Sequence, residues 1–336
     1  MDIPTCRSID LVICVLNYNG LALLKQYLPV VVANSGGYAI VLVDNGSIDG
    51  SVDYVQRHFP TIRCIVHEAN YGVSKGYNLA LKQIEATYYL LLNNDLLVTP
   101  DWLRDMLLLM ESDRSIAFCQ PKILSLVAPD RFDYAGAAGG FIDKYGYPFC
   151  RGRIFNSIEQ DNGQYNDTCP IFWASGACLL VRSKAFYALG GFDELFFAHF
   201  DEIDLCWRAH LSGWKVYYCG TSCVYHLGAA SLPYESPQKT YLNFRNRALM
   251  LYKYPSNHKF SLLSRMVLDG IAALRLLCLG KYAHCWAILK AEVAFFKWRK
   301  KCTRYQEAVT PLPHLYQGSI VVDFFIKNKK LFSDIF

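Results

Sequence analysis

Four short clusters hold the residue types that handle a metal ion and a phosphorylated ligand. They are Asp44-Asn45-Gly46-Ser47, Asn93-Asn94-Asp95, Asp201-Glu202-Ile203-Asp204 and Tyr225-His226-Leu227-Gly228. Carboxylates and an imidazole suit a divalent cation. A carboxylate can also take a proton from an attacking hydroxyl. The first two clusters each end an apolar run, Ile40-Val41-Leu42-Val43 and Tyr89-Leu90-Leu91-Leu92. An apolar run that stops at a carboxylate reads as a buried strand delivering that group to a sheet edge. Ligands of open α/β sheets bind outside the carboxyl ends of the strands.

The elements that must position these groups follow from the pattern. Residues 9–16 read as a first buried strand, closed by the turn Asn17-Tyr18-Asn19-Gly20 and followed by a helix carrying Leu21, Leu24 and Leu28. Ala39–Val43 reads as the second strand, Ile62–Val66 as the third and Tyr88–Leu92 as the fourth. Asp49 is a cap for a short helix ending near His58. The stretch Asn70 to Asn78, with Lys75 inside it, reads as a loop passing into a helix start, which points N–H groups at an anion. Thr99-Pro100 predicts a capped helix running to about Ser112. Strands alternating with helices argue for a parallel α/β half. From Ser115 onward, strand-like pieces at Ile116–Cys119, Ala177–Val181 and Val216–Cys219 alternate with glycine-rich loops, as in a mixed second half. Asp204 and Arg208, four apart on a helix, are expected to pair on its surface. Trp207 reads as core.

Composition bounds the class. The 336 residues are 53% hydrophobic and 19% charged, so a sizeable core is expected and disorder is not. A net charge of +5 is too mild to argue for nucleic acid, and no basic-aromatic stripe of the strand-binding kind occurs. The 13 cysteines lack paired zinc spacing and many lie in apolar runs, which fits buried thiols in a reducing cytosol. The start Met1-Asp2-Ile3-Pro4 has no secretory pattern. After Asn257 the chain is helical and apolar but punctuated by charge, in Phe260–Gly280 and Ala283–Trp298, with a basic end at Lys297-Trp298-Arg299-Lys300-Lys301. Such segments suit helices lying in an anionic membrane interface, against the alternative of packing on the domain or a second chain.

Taken in order, the motifs resemble those of the family 2 glycosyltransferases with a GT-A fold, in particular bacterial rhamnosyltransferase-like members. The resemblance covers roughly residues 9–250. Asn17-Tyr18-Asn19 is similar to the family's first motif, and Val43-Asp44-Asn45-Gly46-Ser47 to its nucleotide-binding acidic motif. Leu92-Asn93-Asn94-Asp95 resembles its metal-binding motif. Trp173-Ala174-Ser175-Gly176-Ala177, Gly190-Gly191-Phe192-Asp193-Glu194 and Asp201–Arg208 resemble its acceptor-side and catalytic block, and His226 its late histidine. The family often has Glu-Asp where this chain has Asp201-Glu202. Glu202 thus stands at the position of the base, and its extra methylene moves the carboxylate by about 1.5 Å, a scale at which misplacement costs about 100-fold. Asp201 remains a rival.

The resemblance implies a nucleotide-sugar half at about 1–114, an acceptor half at 115–255 and a helical region at 256–336. It implies inverting transfer of a sugar, rhamnose being the first candidate, from a nucleoside diphosphate donor to a glycan, with a lipid-linked acceptor at the inner face of a bacterial cytoplasmic membrane. Asp95 is then the anchor of a Mg2+ or Mn2+ ion, and His226 a second ligand or a direct phosphate donor. Asp44, Asn17, Asn70, Asn94 and Lys75 fall on the nucleotide-sugar side, and Trp173 and Gly176 on the acceptor side. The rival readings are a sugar nucleotidyltransferase and a non-catalytic glycan-binding scaffold. The first lacks its glycine- and arginine-rich phosphate loop after strand one, and the intact polar set argues against the second.

Overall fold

The computed structural model describes residues 10–134, 136–228, 236–254, 262–305 and 312–336. The expectations for Met1-Asp2-Ile3-Pro4, for Phe260 and for a boundary at 255/256 lie outside the described residues. The strands are β1 Leu11–Asn17, β2 Ala39–Asp44, β3 Arg63–Val66, β4 Tyr88–Asn93, β5 Leu96–Val98, β6 Ile116–Ser125, β7 Gly140–Asp143, β8 Pro148–Cys150, β9 Arg153–Ile154, β10 Ser157–Ile158, β11 Thr168–Pro170, β12 Cys178–Arg182, β13 Lys215–His226 and β14 Leu315–Tyr316. The helices are α1 Leu21–Ala33, α2 Ser51–His58, α3 Gly72–Leu81, α4 Arg104–Ser112, α5 Ser183–Ala188, α6 Asp201–Leu211, α7 Pro237–Lys253, α8 Leu262–Cys278, α9 Tyr282–Trp298 and α10 Ile320–Phe325.

One mixed sheet runs β11-β13-β6-β12-β4-β1-β2-β3, with β5 paired to β13. The strands β4, β1, β2 and β3 are mutually parallel. Antiparallel β12 joins them to β6. Both faces are covered, so these strands read as unbroken apolar runs rather than alternating ones. Along β1, Ile13 and Val15 pack into the core on one face with Leu24, Leu28, Trp102 and Met106, whereas Val12 and Cys14 pack on the other with Tyr77, Leu81 and Tyr89. A smaller sheet, β10-β9-β8-β7-β14, is completed by the C-terminal strand, and Asp143 Oδ2 accepts the Ile320 N–H at the start of α10 at 3.0 Å.

Three local expectations are corrected. Thr99 does not cap α4: its hydroxyl donates to the Cys223 carbonyl at 2.7 Å, Asp101 is left-handed with φ 57°, and the helix begins at Arg104. A bond to neighbouring β13 has taken the side chain that the local pattern assigns to the cap. Asp204 and Arg208 do pair, at 2.9 Å, but in the interior. There Lys253 and Tyr254, both from the end of the α7 segment, also reach Asp204, at 2.6 and 2.7 Å. Finally, of the three charges of α8 only Arg275 is exposed. Arg265 and Asp269 are buried, and with Arg247 of α7 and Glu292 of α9 they make an internal ion network. The apolar Val267, Ile271, Leu274, Trp286 and Val293 point outward.

Candidate active site

The parallel register lines the polar groups up. Asn17 at the end of β1 sits opposite Asp44 at the end of β2, and Leu16 opposite Asn93 at the end of β4. The side chains then knit together. Asn17 donates to Asp44 Oδ1 at 2.8 Å and accepts from Asn94 at 2.7 Å. Ser47 gives Asp44 its hydroxyl at 2.6 Å and its amide at 2.8 Å. Gly20 lets this happen: a Cβ there would stand 2.2 Å from the Asn94 nitrogen and 2.4 Å from Asn17 Oδ1. Asp44 itself has no exposed surface, so it braces the turn from below, while Asn19, Ser47 and Ile48 reach the outside. Asp49 is not the N-cap of α2, a place taken by left-handed Gly50, but ties the starts of two helices together. Its carboxylate accepts from Ser51 N at 3.0 Å and from Leu21 N, at the start of α1, at 2.8 Å.

On the adjacent strand ends, Asp95 and His226 meet. His226 Nε2 lies 3.2 Å from Asp95 Oδ1, and Nδ1 bonds Asp133 Oδ2 at 2.9 Å. All three side chains are buried. Burial alone would lower the proton affinity of the imidazole, but the two carboxylates outweigh it and raise its pKa to about 10. Nε2 makes no well-formed hydrogen bond and is shut off from solvent. A buried carboxylate beside such a nitrogen is the donor set a divalent ion replaces a proton in. Asp133 would then orient the ligand from behind, as carboxylates behind metal-bound imidazoles do.

Asp201 and Glu202 open α6. Two consecutive non-glycine residues before them, His199 and Phe200, are left-handed, with φ 67° and 68°. Each such residue costs about 1–3 kcal/mol and persists only where the surroundings impose it. Here Asn246 of α7 imposes it, donating to the carbonyls of Ala198 at 2.9 Å and His199 at 2.7 Å. The sharp entry swings the helix start against Gly176, where a Cβ would sit 3.8 Å from the Glu202 Cβ. The neighbouring Ala177 carbonyl accepts from Asn93 N at 2.9 Å, so Glu202 and Asp95 flank the same pair of strand ends. Asp201 and Glu202 are close enough for each to influence the proton affinity of the other. Burial first, and then the Glu202 charge, push the Asp201 carboxyl well above the ordinary range. Burial also raises Glu202, but its own backbone amide and the Asp201 bond pull it back. Asp201 is therefore the more readily protonated of the two, and the less buried Glu202 the more readily ionised.

The remaining predicted residues are placed as follows. Asn70 is exposed and its side chain accepts from Gly72 N at 2.9 Å, in the turn just ahead of α3. Lys75, in the first turn of α3, lies 4.2 Å over the Tyr71 ring. Trp173, which the resemblance puts on the acceptor side, lies in the interior. It is 6% exposed and donates to the Phe141 carbonyl at 2.8 Å, with Gly140 pressed against its ring. Trp207 is core, stacked on Tyr254 at 4.7 Å. Residues missed in the sequence are Asp133, in the loop after β6, and Asn246, one of two asparagines of α7. Neither belongs to a pattern; only contact across about 50 to 90 positions reveals them.

A parallel sheet carrying acidic groups at its carboxyl edge, closed by an antiparallel strand and a helix that begins with two acids, defines an α/β transferase type of site. The model for "Glycosyl transferase family 2" matches residues 12–190, more than half of the chain, and the chain belongs to that family. It is a glycosyltransferase. Over 217 residues it is 28% identical to an N-acetylglucosaminyl-diphospho-decaprenol L-rhamnosyltransferase of Mycobacterium tuberculosis, covering 57% of this chain and 67% of that one. Among solved structures it is similar to GalNAc-T7 crystallised with UDP, GalNAc and Mn2+, at 13% identity and TM-score 0.56, covering 73% of this chain and 48% of that one. It is also similar to a mannosyltransferase of Pyrobaculum calidifontis in complex with GDP-Man and Mn2+, at 14% identity and TM-score 0.51, covering 92% of this chain and 78% of that one. The structural likeness supports the GT-A architecture.

Proposed function

We propose that this chain is an inverting, metal-dependent transferase that moves a sugar, rhamnose being the first candidate, from a nucleoside diphosphate donor to a lipid-linked glycan at a membrane surface. The observation that carries the proposal is the placement of Glu202, at the start of α6 and against Gly176, beside the strand ends that carry Asp95 and His226. The mycobacterial relative, named for a diphospho-decaprenol acceptor, supports the acceptor class.

Glu202 takes the proton of the acceptor hydroxyl as its oxygen attacks the anomeric carbon. The bond to the diphosphate breaks on the opposite face, its electron pair leaves with the nucleoside diphosphate, and the configuration inverts. Asp201, the more readily protonated of the two acids, stands beside Glu202. Asp95 and His226 would hold a Mg2+ or Mn2+ ion, which when bound offsets the charge of the leaving diphosphate. Among the described residues no three His, Cys, Asp or Glu side chains converge on one point, so most ligand positions fall to phosphate oxygens and water. The Asn17–Asp44–Ser47–Asn94 lattice shapes the nucleotide side, and Asn70 and Lys75 stand at its α3 rim.

No helix among the described residues is long and apolar enough to cross a membrane. The outward apolar side chains of α8 and α9, with the basic run Arg299-Lys300-Lys301, support peripheral contact with an anionic bilayer instead.

The test is donor hydrolysis across a panel of nucleotide sugars, with and without manganese. Metal-dependent release of UDP, GDP or dTDP from one donor supports the reading and names the sugar. No release and no nucleotide binding overturns it.

A further inference from the structure

Away from the reacting groups, α7 and α9 enclose a groove of about 840 Å3, a size that holds a small ligand. Its walls are apolar and rich in rings, with Tyr241 on α7 and Trp286, Leu289, Val293 and Trp298 on α9. Trp286 is 58% and Val293 73% exposed, so the groove is open to the outside. Lys290 and Lys297 line it as well, and both are exposed. They stand two turns apart on one helix, about 10 Å along its axis. The Lys290 ammonium lies 5.7 Å from the centre of the Trp286 ring, and Lys301 lies 5.2 Å from that of Trp298. The surface around the groove carries one sign of charge. Between residues 262 and 305, Arg275, Lys290, Lys297, Lys300, Lys301 and Arg304 are exposed. The two carboxylates of that stretch, Asp269 and Glu292, are turned inward onto Arg265.

We propose that the groove is a binding site for one anionic phospholipid, an acyl chain lying along the Trp286–Val293 wall and the phosphate facing the Lys290 and Lys297 ammonium groups. This rests on the reading of peripheral membrane contact and deepens it, from adsorption through an apolar stripe to capture of a single lipid. Charge complementarity decides the occupant. A soluble anion has no use for the apolar walls, and a lipid without net charge leaves the lysines unmatched. A second copy of the chain would set exposed cations against exposed cations. Tyrosine and tryptophan are the rings that gather at the level of lipid headgroups, which suits Tyr241, Trp286 and Trp298. Lysine stems lie along apolar surface while their ammonium groups reach outward to the phosphate. Because α7 is one wall, the lipid is held by the same helix whose Asn246 fixes the entry to α6. The catalytic half itself is thereby held at the bilayer.

The probe is dihexanoyl phosphatidylglycerol, kept monomeric below its micellar concentration and titrated by calorimetry into the full chain. Dihexanoyl phosphatidylcholine, with the same chains and no net charge, and glycerophosphoglycerol, the headgroup without chains, are the controls. Phosphatidylglycerol is expected to saturate at one lipid per chain and to bind at least about tenfold tighter than either control. Lys290→Gln with Lys297→Gln should erase the preference over phosphatidylcholine. Ala294→Trp, which fills the groove, should remove the binding of both lipids; Val293→Asp, at a more exposed position, serves if the tryptophan unfolds the chain. Equal binding of the two lipids, a preference that survives the double lysine variant, or lipid binding that survives both groove variants would overturn the proposal. So would a dimer in solution that Ala294→Trp dissociates, since a second copy would then fill the groove. If the chain sediments with phosphatidylglycerol vesicles but binds no monomeric lipid, this proposal alone fails. If monomeric lipid binds and vesicles do not retain the chain, the lipid site stands and the reading of peripheral contact fails.

Discussion

Asp95 Oδ1 stands 3.2 Å from His226 Nε2, and the far nitrogen of that imidazole is held by Asp133 at 2.9 Å. An acid from the end of β4 and an imidazole from the end of β13 are thus fixed by an acid from a loop. Asp95→Ala is expected to abolish metal-dependent nucleotide binding. Asp133→Asn should weaken it by about 10- to 100-fold, the usual cost of losing a carboxylate behind a metal-bound imidazole. Titration of manganese in the presence of UDP or dTDP checks both. Unaltered manganese dependence in Asp95→Ala would remove it from the metal site.

The Asp201–Glu202 pair predicts a pH profile. Glu202 must be ionised to act, so activity is present at high pH and lost as pH falls through its pKa. Burial raises that pKa, so the acid limb lies above the ordinary glutamate range. The Asp201 bond lowers it, so Asp201→Ala should move the limb to still higher pH, while Glu202→Gln spares donor binding and abolishes transfer. Full transfer by the Glu202 variant would hand the base role to Asp201.

Asp204 neutralises two buried cations, Arg208 and Lys253. Removing one member of a buried pair leaves an uncompensated charge, at about 3–5 kcal/mol. Asp204→Ala should therefore lower the urea midpoint strongly. A shift within the scatter of surface substitutions would show that water reaches these cations.

Val267, Ile271 and Leu274 form one outward stripe on α8. Ile271→Glu with Leu274→Glu should release the chain from anionic phosphatidylglycerol vesicles, by at least about tenfold per side chain. Binding by the parent chain should also fall with added salt, because Lys297, Arg299, Lys300 and Lys301 supply the charge. Retention of the double variant on vesicles would exclude this stripe as the contact.

Trp173 is expected to matter for stability and not for acceptor KM. Trp173→Phe gives up the bond to the Phe141 carbonyl and part of a packed ring, for about 1–3 kcal/mol. An acceptor KM raised tenfold at unchanged stability would restore it to the acceptor surface.

By itself the sequence determined what local pattern can carry. The apolar runs ending in Asp44 and Asn93 named the central strands, because a strand covered on both faces needs unbroken apolar residues. The order of the polar motifs named the family. Tertiary structure decided everything that depends on distant partners. Thr99 is a good cap by type, yet β13 claims its hydroxyl. Asp204 and Arg208 are spaced as a surface pair, yet Lys253 draws them inward. Arg265 and Asp269 of α8 have the spacing of a polar face, yet Arg247 and Glu292 meet them inside and the apolar side faces out. Asp133 and Asn246 carry no motif at all. A side chain's type and spacing limit the bonds it can make, but which bond forms depends on which groups the fold brings within about 3 Å of it.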